Sequence, residues 1–202
     1  MKDVQKLLEE IRVYGEENDV PISKADTQEF LLNLIKENNY MSVLEIGTAI
    51  GYSTIAFAST NCVSKVDSVE IDENRLLVAR ENIKKSGLDK KIKLYHMDAK
   101  EFLQNNENKY DFIYLDGPKG QYINYLPYLL NMLNKNGTLV ADNLFFHGMV
   151  TGEIPVTKGC RSMIKGLKNY IQEITTNPNL ETKILNIGDG LGVTKVLMKS
   201  EK

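Results

Sequence analysis

The run Val43-Leu44-Glu45-Ile46-Gly47-Thr48-Ala49-Ile50-Gly51-Tyr52-Ser53 sets an acid just ahead of two glycines four residues apart. That spacing is not the G-x-G-x-x-G of a dinucleotide site, and Glu45 would repel a pyrophosphate, whereas a carboxylate there suits a cationic ligand. Glu70 follows Glu45 by 25 residues, the interval at which an acid accepts both ribose hydroxyls of a nucleoside. Asp98-Ala99, after the next β-rich run, suits the adenine edge. Taken singly, Glu70 or Asp98 is better explained as a helix cap or loop acid. Their order and spacing behind Glu45 favour ligand contact.

A second group has the chemistry of a metal site with a base beside it. Asp116 and the pair Asp142-Asn143 stand at the ends of two further β-rich runs and offer three hard oxygen ligands. Mg²⁺ takes about six in octahedral array, which leaves three places for water and for an acceptor with two adjacent oxygens. A dication there lowers the pKa of a chelated hydroxyl. Lys119, three residues past Asp116, can take the released proton, because a nearby dication favours the neutral amine. An Asp-Asn pair alone is often just a turn. His147, beyond the metal loop, is as well explained by an ordinary loop position as by substrate contact, and His96 simply ends a strand.

These residues need strands and helices to carry them. Leu7, Leu8, Ile11 and Tyr14 fall at helical spacing, and a second helix runs past Thr27 through Phe30, Leu31, Leu34 and Ile35. Short β-rich runs follow at 43–46, 66–70, 92–95, 110–115 and 138–141. Helices start between them near Ser53, Asp72, Ala99 and Gln121, the second closing at Ser86-Gly87 with a glycine cap. Such alternation predicts parallel strands covered on both faces. A helix over about 157–175 precedes runs at 182–187 and 193–198, which flank Gly188-Asp189-Gly190 as a hairpin. The fold expected is α/β: a Rossmann-like, doubly wound, mostly parallel seven-stranded sheet with an antiparallel C-terminal hairpin and helices on both faces.

With 202 residues and 42% hydrophobic content, a single domain over 1–202 is expected, its N-terminal helices (1–40) covering the active site. The 25 basic and 27 acidic residues nearly balance, so no global attraction to nucleic acid or membrane exists and any polyanion needs a local patch. Cys62 and Cys160 lie 98 residues apart with no CxxC, as free thiols of a reducing compartment do. The absence of an apolar run of about 18 residues and of a signal-like h-region leads us to expect a cytoplasmic protein with no membrane span.

The loop of Glu45, Gly47 and Gly51 matches the E-x-G-x-x-x-G of class I S-adenosylmethionine methyltransferases, which the chain resembles at this point. Leu44-Glu45-Ile46-Gly47-Thr48 with Gly51-Tyr52-Ser53, Asp116-x-x-Lys119-x-x-Tyr122, Asp142-Asn143 and Gly188-Asp189-Gly190 extend the resemblance to the cation-dependent O-methyltransferases that include catechol and caffeoyl-CoA enzymes. It covers nearly the whole chain from about Pro21. The resemblance implies S-adenosylmethionine contacts from Glu45, Gly47, Ser53, Glu70, Asp98 and Ala99, with Asp116 shared between donor amine and metal. It also implies Mg²⁺ (or Mn²⁺) on Asp116, Asp142 and Asn143, Lys119 as base, direct in-line methyl transfer, and a homodimer.

Departures bear on the acceptor. Catechol enzymes carry a glutamate two residues past the Asp-Gly of the hairpin, where this chain has Gly192, and their aromatic gate needs a tryptophan, of which there is none. The plant caffeoyl-CoA type has asparagine at the place of Gln121 and a longer N-terminal arm. The stretches 116–122 and 142–150 look most like bacterial tRNA 5-hydroxyuridine O-methyltransferases, whose acceptor is a chelating oxygen pair. Lys158, Arg161, Lys165 and Lys168 lie within roughly 80° of one helical face, opposite Met163, Leu167, Tyr170 and Ile174. That face is more commonly just solvated; with tRNA as acceptor it is a candidate phosphate-contact surface. Lys84, Lys85, Lys90, Lys91 and Lys93 form a second basic cluster. The acceptor expected is thus 5-hydroxyuridine in tRNA, with a small catechol or related diol second. A nucleotide-binding or dehydrogenase-like module would need the glycines respaced and leaves Asp142-Asn143 unexplained.

Overall fold

Val43, Leu44 and Ile46 are almost wholly removed from solvent and form β1 (Ser42–Ile46). The computed structural model describes residues 2–197, in two compact units divided at Asn105/Asn106. In the first unit β1 pairs in parallel with β2 (Lys65–Glu70), Val43 facing Val66, and β2 pairs in parallel with β3 (Ile92–His96). Both faces of β1 and β2 are covered, so even Asp67 and Ser68 have no exposed surface, the near-continuous burial of inner parallel strands.

The helices of this unit are α1 (Lys2–Glu17), α2 (Ala25–Glu37), α3 (Tyr52–Ser59), α4 (Glu73–Ser86) and α5 (Ala99–Asn105). Asp72 caps α4, accepting from the Arg75 N–H at 3.0 Å, and Gly87 closes it at φ 68°, as the sequence predicts. Ile11 of α1 meets Ile50, Ile55 and Ile83, with Leu7 and Leu8 packed beside them. The helical stripe then departs from expectation: Tyr14 is 44% exposed. The buried place is taken by Gly15, where an added Cβ would stand 3.2 Å from Ile22, so the chain returning from α1 fills the position that a tyrosine would occupy.

Of the second basic cluster, Lys84, Lys85, Lys90 and Lys93 are exposed, whereas Lys91 is drawn inward. Lys91 donates through Nζ to the carbonyls of Val63 (2.7 Å) and Ala58 (3.2 Å), closing the end of α3, and Lys93 lies over the Tyr95 ring at 4.7 Å. The competing demand is local: carbonyls left over at a helix end attract the nearest ammonium.

In the second unit β4 (Tyr110–Leu115) and β5 (Leu133–Ala141) are parallel, β7 (Leu191–Val196) runs antiparallel to β5, and β6 (Leu180–Leu185) antiparallel to β7. The unit's helices are α6 (Tyr122–Met132) and α7 (Arg161–Thr176). β5 begins five residues earlier than the apolar run 138–141 suggests, because its polar start is held sideways by Asn134 Nδ2 donating to Asp111 Oδ1 at 2.7 Å. The hairpin strands lie two residues earlier than 182–187 and 193–198. Ile187 belongs to the turn, its carbonyl accepting from the Gly190 N–H at 2.9 Å, and Met198 lies outside the described residues.

The seven strands run in the order β3-β2-β1-β4-β5-β7-β6, the mostly parallel α/β sheet with an antiparallel C-terminal hairpin that the alternation predicts. No helix among the described residues is long and apolar enough to cross a membrane. Replacing Lys91 by Met removes the donor to the Ala58 carbonyl in the last turn of α3 and to the Val63 carbonyl beyond it and should cost about 1 kcal/mol. Lys90→Met, on an exposed side chain, should change stability by less than about 0.5 kcal/mol. Urea unfolding of the two variants checks this; equal midpoints would remove Lys91 from its capping role.

Candidate active site

In the first unit the link from β1 to α3 is bent by positive φ at Gly47 (107°), Ala49 (46°) and Gly51 (86°). At Gly51 an added Cβ would also meet Ala79 at 3.4 Å. The bend is held from several sides. The Gly47 and Thr48 N–H groups donate to the Val69 carbonyl at 3.0 and 3.2 Å, and Asn82 Nδ2 donates to the Ile50 carbonyl at 2.9 Å. Glu70, 7% exposed, ends β2 with Oε2 accepting from the Ala49 N–H and Oε1 from the Ile71 and Asp72 N–H groups, all at 2.9 Å. Glu70 therefore ties the glycine bend to the second strand, and each oxygen keeps acceptor capacity.

Glu45 has no exposed surface. Its Oε1 accepts from the Ser53 hydroxyl and its Oε2 from the Thr54 and Ser68 hydroxyls, the last at 2.5 Å; Ser68 in turn meets Thr48 Oγ1 at 2.6 Å. The carboxylate thus sits at the first turn of α3, where an anion is favoured by the helix dipole. Ser53, named among the donor contacts, is itself 7% exposed and engaged with Glu45. Thr54 and Ser68 were not singled out from sequence. Their signal was a hydroxyl at positions that an apolar helix start and an apolar strand would otherwise fill. Asp98 is exposed and caps α5, Oδ1 accepting from the Lys100 N–H at 2.8 Å. His96 ends β3, its Nε2 3.2 Å from the Ile71 carbonyl.

In the second unit Asp116 follows β4 and Asp142 follows β5, and parallel pairing sets Leu115 opposite Ala141. Lys119 Nζ donates to Asp116 Oδ1 at 2.6 Å from a 3-10 turn (Lys119–Gln121). Asp142 is 4% exposed; its Oδ2 accepts from Tyr114 OH and its Oδ1 from the Asn143 N–H, both at 2.6 Å. Burial, then the charge of Asp116, push the Asp142 carboxyl up to about 6, against the hydrogen bonds from Tyr114 and Asn143 and the charge of Lys119. The buried Tyr122 hydroxyl donates to the Leu115 carbonyl (3.0 Å) and the Asp142 carbonyl (3.3 Å). Burial, then the charges of Asp116 and Asp142, hold it well above the ordinary tyrosine range.

The loop after Asp142 is locked onto the hairpin turn. Asn143, Phe146 and His147 all have positive φ (57°, 44° and 53°), unusual for side chains other than glycine and sustained only by surrounding contacts. Leu144 and Phe145 donate their N–H groups to the carbonyls of Gly190 (3.0 Å) and Asp189 (2.9 Å), and the His147 N–H donates to the Asp189 carboxylate at 3.0 Å. An added Cβ at Gly190 would stand 2.7 Å from the Phe145 ring, and one at Gly192 2.6 Å from Leu144. The place where catechol enzymes carry a glutamate is therefore filled by Leu144. Asp189 and Tyr114 were not assigned roles from sequence: one clamps the loop by its backbone, the other reaches Asp142 from inside a strand.

Two carboxylates and an amide fit a hard divalent cation. Asp142 is driven toward its protonated form by burial and a like charge, a cost that a cation removes, and Lys119 already places its ammonium on Asp116 at 2.6 Å. No cluster of three or more His, Cys, Asp or Glu ligands occurs among the described residues.

A sheet with a reversed strand beside its last one, an acid-and-glycine bend after β1 and an acid ending β2 define a Rossmann-like methyltransferase. Residues 2–197 match the O-methyltransferase family. A Staphylococcus aureus structure named provisionally as a caffeoyl-CoA O-methyltransferase is 31% identical with a TM-score of 0.86, covering 93% of this chain and 90% of that one. The caffeoyl-CoA O-methyltransferase of Medicago sativa is 27% identical over 88% of this chain and 75% of its own. An O-methyltransferase from Bacillus cereus in complex with SAH shares the fold at a TM-score of 0.81 and 23% identity, over 95% and 90% of the two chains. The chain belongs to the O-methyltransferase family, as the motif resemblance implied.

The raised Asp142 carboxyl has a signed consequence. Folding favours its protonated form, so the stability it contributes is fully present below the ordinary value of 3.8 and is lost as pH rises through about 6. In EDTA the wild type should lose roughly 3 kcal/mol from this group across that window relative to Asp142→Asn. Urea midpoints of both proteins from pH 3.5 to 7 check the difference; parallel curves would show that Asp142 ionises freely.

Proposed function

We propose that this O-methyltransferase moves the methyl of S-adenosylmethionine onto one oxygen of an acceptor that presents two adjacent oxygens, with a divalent cation on Asp116, Asp142 and Asn143. The observation that carries this reading is geometric: Asp142, 4% exposed, and Asp116 follow neighbouring parallel strands whose last residues, Leu115 and Ala141, stand opposite each other, a pairing of acids whose cost a bound dication offsets. Mg²⁺ or Mn²⁺, when bound, supplies Lewis-acid polarisation of the acceptor oxygens. Asp116 attracts cations at this place already, since it holds the Lys119 ammonium at 2.6 Å.

In this reading Lys119, as the neutral amine, accepts the acceptor hydroxyl's proton at Nζ. The oxygen forms its bond to the methyl carbon as the carbon–sulfur bond breaks, leaving a methyl ether, a neutral thioether and the Lys119 ammonium. Glu70 presents the remaining acceptor capacity of its carboxylate to the donor's ribose. Glu45, Gly47, Asp98 and Ala99 contribute the loop and the edge against which the donor lies. Lys119→Met should keep the calorimetric affinity for S-adenosylhomocysteine and slow transfer by about 10²–10⁴-fold. A full rate at neutral pH would remove Lys119 from the mechanism, and full wild-type activity in EDTA would remove the metal.

For the acceptor, the first reading is 5-hydroxyuridine in tRNA. It is supported by the motif detail of 116–122 and 142–150 and by the exposure of Lys158, Arg161, Lys165 and Lys168 along α7 and the turn before it, opposite the buried Leu167, Tyr170 and Ile174. The second reading, a small vicinal diol, is favoured by the names of the relatives. Reversing Lys165→Glu with Lys168→Glu should weaken tRNA binding and reduce its salt slope by roughly one unit per lost phosphate contact. Turnover of a small catechol should barely change. Unchanged tRNA affinity across a salt series, or good catechol turnover with no tRNA methylation, promotes the diol.

A further inference from the structure

Lys119 sits on a turn that is pinned in the middle by a helix. In α7 the backbone of Gly166 approaches so closely that an added Cβ would stand 2.8 Å from the Gly120 carbonyl oxygen and 3.5 Å from the Gly120 carbonyl carbon and Cα. On the other side, a Cβ added at Gly120 would lie 3.4 Å from the Met163 Cα. Two backbones thus meet with no side chain between them. Glycine inside a helix costs about 1 kcal/mol relative to alanine, and here the approach to Gly120 requires it.

Both members of this contact are anchored. α7 is fixed by Ile164, Leu167, Tyr170 and Ile174, at most 3% exposed. The turn is closed by the Gln121 N–H donating to the Pro118 carbonyl at 2.8 Å, and Lys119 reaches back to Asp116 at 2.6 Å. Tyr122, next along, meets the Tyr170 ring edge-on at 5.4 Å and bonds the carbonyls of Leu115 and Asp142. A displacement of Gly120 cannot be absorbed by the far end of a flexible chain, since the atom it meets is backbone, and Lys119 is its covalent neighbour.

We propose that Gly166 is a positioning residue for Lys119: its missing side chain lets α7 seat the Gly120 peptide, and this contact fixes where the Lys119 ammonium stands beside Asp116. The inference rests on Lys119 as the base only for its effect on rate. The placement of the amine is measured independently.

The test is site-specific amine acetylation read by mass spectrometry on the folded protein, without donor or acceptor. In the wild type Lys119, held on Asp116, should label slowly. Gly166→Ala should speed labelling of Lys119 several-fold and leave Lys158 unchanged, while Gly159→Ala, where nothing lies within 4 Å of the new Cβ, should change neither. In turnover of 5-hydroxyuridine-containing tRNA or catechol, Gly166→Ala should lower kcat by about 10-fold or more with the S-adenosylhomocysteine Kd unchanged, the size expected of a sub-ångström to 1 Å misplacement. It should add no further loss in the Lys119→Met background. Wild-type labelling of Lys119 in a folded Gly166→Ala protein overturns the proposal, as does a fully additive rate loss in the double variant. If Gly166→Ala fails to fold, Gly120→Ala, whose Cβ would stand 3.4 Å from the Met163 Cα across the same contact, serves instead, with faster Lys119 labelling expected and wild-type labelling overturning the proposal. A full rate in Lys119→Met alone defeats the base assignment and leaves the labelling result standing.

Discussion

A carboxylate with no exposed surface at the end of β1 sets the terms for the first unit. Burying an ion costs several kcal/mol unless donors replace the water it loses, and Glu45 finds them in Ser53, Thr54 and Ser68. Two of those hydroxyls belong to the first turn of α3, so the helix must begin where it can deliver them. The chain then has only the residues between Ile46 and Tyr52 in which to turn round, and the positive φ values at 47, 49 and 51 follow from that shortage. Glu70 completes the constraint by fixing the middle of the bend through the Ala49 N–H.

The second unit treats its buried acid differently. Asp142 also receives two short hydrogen bonds, yet it faces Asp116, and the balance leaves it inclined to hold a proton. Glu45 is met by three hydroxyls, as suits a fixed structural charge that shapes the bend after β1. Asp142 is left partly uncompensated, as suits a group whose missing compensation arrives with a ligand. The clamp from Asp189 has a separate cause: a loop with three positive-φ side chains relaxes unless neighbouring elements hold it.

Much of this was legible in the residues themselves. Strand-helix alternation, the Asp72 and Gly87 caps, the glycine bend and the acids at strand ends are local signals, and each appears where expected. Family membership was also readable, because Glu45, Gly47, Gly51, Asp116, Lys119, Asp142 and Asn143 carry it in short runs. What was not legible depended on partners distant in sequence. Tyr114 looks like any aromatic strand residue until Asp142, 28 positions on, takes its hydroxyl. Lys91 looks like part of a basic patch until the carbonyls of Ala58 in α3 and Val63 beyond it claim its ammonium. Tyr14 fits a helical stripe that Gly15 in fact occupies, because the fit depends on where Ile22 returns. The hairpin slipped by two residues because apolar Ile187 reads as strand although its carbonyl closes the turn.

The order of strands in the second unit carries a consequence for how the chain is made. β7 follows β6 in sequence but lies between β6 and β5, so β6 has no place in the sheet until β7 has been synthesised. During that interval β5 keeps an open edge of unpaired N–H and C=O groups, with apolar side chains on it, and such an edge invites pairing with other chains. Asp142 and Asn143 sit just beyond this edge, on a loop whose backbone partners, Asp189 and Gly190, belong to the turn leading into β7. The loop that carries Asp142 and Asn143 is therefore ordered last, by the same few residues that seal the sheet, and a nascent or truncated chain that has not placed β7 lacks both a closed edge and an ordered loop after β5.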